Sequence, residues 1–237
     1  MTFESERGIM TAEGNGMGSH GIMYNYPDDE KTRALNEPGV LVTNEKELHK
    51  GLSEFKEHAE RMDEPFKSVY AYYADNTELL QNPLQMSPIG YDPSKDALTY
   101  NKAFFKYPQY QQRANIIFSH EYAHVYDFRT VRSWENQNFM SAISDAMQEV
   151  SADVEKYKNL YLSLSNLNPA YQDILSALSD NKIKTKFGHD TWDARARAVE
   201  TFANLSYLQA NKIDIPEFDG LLDGVINAFG QMFTGGA

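Results

Sequence analysis

One stretch constrains this chain more than any other: Ser119-His120-Glu121-Tyr122-Ala123-His124-Val125-Tyr126-Asp127. It sits inside a helical recurrence of apolar residues, Ala114, Ile117, Phe118 and Val125, that begins after Pro108, a residue suited to a first helical turn. The pattern predicts a helix over residues 109 to 129. Four residues of helix advance slightly more than one turn, so the imidazoles of His120 and His124 lie one above the other and can aim nitrogens at a single ion. Glu121 is rotated about 100° from His120, which brings its carboxylate beside that ion. The fold must therefore hold a helix that carries polar chemistry in the middle of an apolar surface.

With no cysteine in the chain, any metal is held by imidazole and carboxylate alone. Two histidines at this spacing fit zinc, which lowers the pKa of a bound water, while Glu121 accepts its proton and passes it to a leaving amine. Amide hydrolysis is the natural reaction, with Glu121 as general base. A third protein ligand is needed to complete a catalytic zinc site. Glu200 is one candidate, flanked by Ala196 and Ala203 on a face that permits close helix approach, with Asn204 one turn on as an acceptor for an imidazole proton. Glu149 is the other, with Asp153 four residues later, and Asp193 stands behind both. Asp127 follows His124 by three residues and is expected to orient an imidazole from the same helix face.

Elsewhere the chain punctuates itself. Residues 1 to 38 lack sustained periodicity and read as an irregular N-terminal arm, leaving 39 to 237 as the catalytic domain. Asn44 and Glu47 make a capping pair ahead of Leu48, Leu52, Phe55 and Ala59, predicting a helix over residues 45 to 62 that Pro65 stops. The β-branched and aromatic run Ser68 to Tyr73 and the segment Ala97 to Tyr100 are expected to be strands. Further helices are predicted over residues 138 to 165, from Pro169 (capped by Asn168) to about 180, over 191 to 209, and from Pro216 to about 233. The fold class that results is α+β: a small mixed sheet, then a mainly helical C-terminal half.

The H-E-x-x-H-x-x-D form, followed much later by Glu200-Thr201-Phe202-Ala203, resembles the anthrax-lethal-factor-like zincins and related domains of bacterial toxins, injected effectors and phage-associated proteins. The resemblance is one of motifs and covers residues 97 to 208. It implies a zincin-like fold, a zinc metallopeptidase activity, and a last helix that delivers Glu200 as the third ligand. Asn204 stands where such families commonly place a second acid, and Glu149-Val150-Ser151-Ala152-Asp153 resembles the thermolysin-like arrangement, which keeps Glu149 in contention. Tyr207 and His189 are candidates for the oxyanion donor that some of these families supply. The resemblance also implies that the strand Ala97 to Tyr100 presents an edge to an extended substrate.

The net charge of -12 argues against nucleic acid and acidic membranes and favours a protein partner with a basic surface. No run is apolar and long enough to span a bilayer, and the charged start lacks a Sec-type signal core, so a soluble monomer is expected, with secretion or injection by another route open. Against the peptidase stand a non-catalytic zincin-fold module whose acidic surface engages a basic partner, and a phage-associated processing protein.

Overall fold

The computed structural model describes residues 41–164, 168–179, 193–214 and 218–234. The expected N-terminal arm and His189 lie outside these residues. They fall into two compact units, one ending at Val125 and one starting at Tyr126. Among the described residues the chain is α+β, mostly helical with one small sheet.

In the first unit, α1 (Leu41–Ala59) starts ahead of the expected Asn44–Glu47 cap and buries Leu48, Phe55 and Ala59 of the predicted stripe, with Leu52 half-buried. The predicted strand over residues 68 to 73 is instead part of helix α2 (Phe66–Asn76). Its buried residues, Phe66, Tyr70, Tyr73 and Ala74, recur at helical spacing, whereas Tyr72 is left exposed. Burial of that stripe outweighs the β preference of Val69 and the tyrosines, which is a preference for a pleated half-buried surface that this segment does not meet.

Three short strands follow: β1 (Glu78–Gln81), β2 (Ile89–Asp92) and β3 (Ala97–Tyr100). Their order is β1-β3-β2, with β1 parallel and β2 antiparallel to β3. The sheet is therefore mixed, as expected, but Ala97 to Tyr100 is its centre and not its edge. All four residues of β3 are buried, and neighbours occupy both of its hydrogen-bonding sides. Strand β2 was hidden in sequence by Pro88, Gly90 and Pro93, which read as turn residues.

A 3-10 segment (Lys102–Lys106) and the short helix α3 (Pro108–Gln112) lead to α4 (Ala114–Tyr126), which carries the histidines. The predicted helix is thus divided at Arg113 and ends near Tyr126. Tyr122 stacks on Phe55 at 5.1 Å between ring centroids, and Phe118 lies 5.9 Å from the same ring. Gly51 makes this crossing possible, because a Cβ there would come within 2.4 Å of the Ala114 Cβ. This aromatic face anchors α4 and leaves its histidine face for other work.

In the second unit a π-helical turn (Asp127–Val131) ends in Arg132 at φ 54, in the left-handed region, followed by a 3-10 turn (Ser133–Glu135). The helix predicted over residues 138 to 165 is two, α5 (Gln137–Ala152) and α6 (Val154–Ser163). Asp153 separates them, and its carboxylate accepts from the Lys156 amide at 3.1 Å, a cap that competes with helix continuation. Asn168 caps α7 (Pro169–Ala177) as expected, accepting from the Ala170 amide at 3.0 Å.

Helix α8 (Ala194–Ala210) is buried on nearly every side. Its Arg197 is buried and donates to the carbonyls of Ala177 and Ser179, satisfying the acceptors left open where α7 ends and placing a cation on the negative end of that helix. A 3-10 turn (Phe218–Gly220) precedes α9 (Asp223–Thr234), whose Phe229 packs 5.3 Å from Phe202 of α8. No described helix is long and apolar enough to cross a membrane.

Candidate metal centre

His120 and His124 are both fully buried on α4, and their Nε2 atoms face each other at 3.0 Å. Two nitrogens bound to one tetrahedral zinc at ordinary bond lengths would be ~3.3 Å apart. The pair already stands within a few tenths of an ångström of that separation. The helix repeat alone accounts for this, since positions four apart on α4 share a face.

Glu200, on α8, is 1% exposed. One ligand atom from each of His120, His124 and Glu200 lies within 4.8 Å of the others, and these three form a group that could hold a metal ion. The donor chemistry fits a divalent cation: two neutral imidazoles and one carboxylate, all buried, in a chain with no thiolate to offer. A buried carboxylate is costly without a compensating positive charge, and a divalent ion supplies one.

The other candidate ligands are placed elsewhere. Glu149 is exposed on α5, where its carboxylate accepts the phenolic hydrogen of Tyr157. Asp193 is exposed at the N-cap of α8 and accepts from the Ala196 amide at 2.7 Å. Tyr207 is buried on α8, and its hydroxyl accepts from Asn168 Nδ2 at 3.1 Å. Asn204 donates through Nδ2 to the Glu200 carbonyl at 2.9 Å, while its buried Oδ1 has no hydrogen-bond partner among the described residues.

Glu121 is 4% exposed, and its Oε2 accepts from the Tyr91 backbone amide of β2 at 2.8 Å. Sequence reasoning missed this partner because nothing local links residues thirty apart.

Asp127 is also buried, but it does not serve an imidazole as expected. Oδ1 accepts from the Ser133 amide and Oδ2 from the Ser133 hydroxyl, each at 2.7 Å, so the carboxylate closes the π-helical turn on itself. The departure from α-helical winding after Tyr126 is what breaks the expected alignment with His124. Arg195, at the start of α8, lies over the rings of Trp134 at 4.3 Å and Phe128 at 5.0 Å, joining this turn to the helix that bears Glu200. No periodic signal announces Ser133 or Arg195.

Burial pushes the Asp127 carboxyl up to about 7, against the two Ser133 hydrogen bonds and the Arg195 charge, which favour ionisation. Because the folded value lies above the unfolded one, the native state binds the extra proton between about pH 4 and pH 7. The stability from this residue is full below pH 4 and is lost as pH rises through 7. Urea unfolding at pH 5 and pH 8 is expected to show Asp127→Asn shrinking the difference between them by about 2–4 kcal/mol. An unchanged difference would show that Asp127 stays ionised throughout.

Compared with known proteins, the chain matches no family model, no curated protein and no solved structure.

Proposed function

We propose that this chain is a zinc-dependent metallopeptidase of the zincin type, acting on a protein substrate. The observation that carries the reading is the burial of His120, His124 and Glu200 with one ligand atom of each inside 4.8 Å, beside a glutamate that directly follows the first histidine. Zinc at this group would supply Lewis acidity toward a carbonyl oxygen and a water of lowered pKa. The roles of the chain's own residues follow from their chemistry. His120, His124 and Glu200 hold the ion. Glu121, adjacent in sequence and outside the ligand set, takes a proton at its carboxylate and returns it to the leaving amine. The buried surroundings exclude bulk water and strengthen each of these electrostatic contacts.

The substrate class to test first is a protein with a basic surface, which the net charge of -12 would attract. The motif likeness to toxin and effector zincins makes a host-cell protein the natural source.

The test uses the purified full chain. About one equivalent of zinc should remain after dialysis, in keeping with a site of three protein ligands. Incubation with a proteome extract should generate new N-termini that disappear when a chelator is added. A chain that carries no zinc and takes none up from a buffered solution would overturn the reading, as would cleavage indifferent to chelation.

A further inference from the structure

β2 and β3 pair with Gly90 opposite Thr99 and Tyr91 opposite Leu98, and the Asn101 amide donates to the Pro88 carbonyl at 3.0 Å. That bond sets the phase of the antiparallel ladder. Pro88, Gly90 and Asp92 turn their backbone groups toward β3, while Ile89 and Tyr91 turn theirs outward. β1 occupies the far side of β3, so among the described residues no strand pairs with the outward side of β2.

Two of the outward groups are nevertheless engaged by side chains. The Tyr91 amide donates to Glu121 Oε2 at 2.8 Å, and the Ser87 hydroxyl donates to the Ile89 carbonyl at 3.1 Å. Tyr91 is fixed at its other end, since its hydroxyl donates to Asp96 Oδ1 at 2.7 Å across the β2–β3 turn, where Asp96 has φ 49. Tyr91 and Glu121 are 3% and 4% exposed. An edge strand normally leaves such groups to water or to a pairing partner.

We propose that Glu121 is the cap of the β2 edge: its carboxylate occupies the hydrogen-bonding position at Tyr91 through which an extended chain would pair, and the Tyr91 amide is the group that positions that carboxylate. An amide hydrogen cannot serve two strong acceptors, so a peptide carbonyl that pairs with Tyr91 must displace Glu121 from it. Edge pairing and release of the acid are then one event. The link to catalysis rests on Glu121 being the base proposed above, whereas the capping does not depend on a metal.

Amide hydrogen exchange on the metal-free full chain tests the cap without recourse to activity. The quantity read is the protection of the Tyr91 amide relative to that of Gly90, which faces β3, so that a general loss of stability cancels. Glu121→Ala removes the acceptor and should lower this ratio by about thirtyfold or more, while Glu121→Gln, which keeps a neutral acceptor in place, should lower it by about fivefold. A ratio within twofold of the parent in Glu121→Ala would overturn the proposal. If circular dichroism shows that variant unfolded, Glu121→Gln decides on the same criterion. An unchanged ratio in Glu121→Ala, in a chain that binds zinc, refutes this inference alone, whereas a ratio that falls as expected, in a chain that binds no zinc, refutes only the peptidase.

Discussion

Glu121→Gln is expected to retain about one zinc per chain and to cleave the parent's substrates about 10²–10⁴-fold more slowly, the span that a positioned general base contributes. The substitution leaves the ligand set alone, because the group that could hold an ion consists of His120, His124 and Glu200. It also preserves shape: the glutamine oxygen can still accept from the Tyr91 amide, which lies 2.8 Å from Oε2 in the parent. Only the ability to take a proton is removed. The loss should therefore fall on kcat, with KM at the parent's value or up to about fivefold below it, since no substrate-binding contact is deleted and the glutamine holds the Tyr91 amide less tightly. Metal analysis alongside single-turnover cleavage checks both halves. A variant as fast as the parent would exclude Glu121 as base, and a variant that has lost its zinc would show that Glu121 shapes the site rather than the reaction.

What could be read in the sequence was what depends on neighbours along one element. The pairing of His120 with His124 needs only the helix repeat, and the two Nε2 atoms at 3.0 Å follow from it. Asn168 as a cap is equally local, and it holds. The failures come from distance or from a change of winding. Residues 68 to 73 carry strand-like composition, but the buried stripe at Phe66, Tyr70, Tyr73 and Ala74 is set by what packs against it. β2 is a strand because β3 pairs with it, in spite of its glycine and the prolines on either side of it, and no local pattern reports a pairing. Asp127 was assigned its direction by extending α-helical geometry three residues past His124, where the chain instead winds more widely and hands the carboxylate to Ser133. The same limit left the third ligand undecided, since Glu200 and Glu149 look alike as helical glutamates near small residues, and only the folded chain separates a buried one from an exposed one.

That separation carries the second large effect. Glu200→Ala is expected to weaken zinc binding by more than ~100-fold, beyond the 10–100-fold that follows when a group merely supporting a ligand is lost. Glu149→Ala should leave the affinity within a factor of ~2, because Glu149 is exposed and engaged with Tyr157. Competition against a chromogenic chelator at fixed pH measures both. Folding has to be followed in the same samples, since Glu200 is 1% exposed and its removal changes the interior of α8. In the metal-free chain the truncation removes a buried side chain together with its contacts, so the metal-free variant and parent set the baseline for its folding cost. In zinc the gap widens. The parent gains stability by mass action and the variant gains almost none, so the separation of the two unfolding curves grows only when the ion is present. Equal zinc affinity in Glu200→Ala and the parent would remove this glutamate from the ligand set, and a fall in Glu149→Ala instead would move the third ligand to α5.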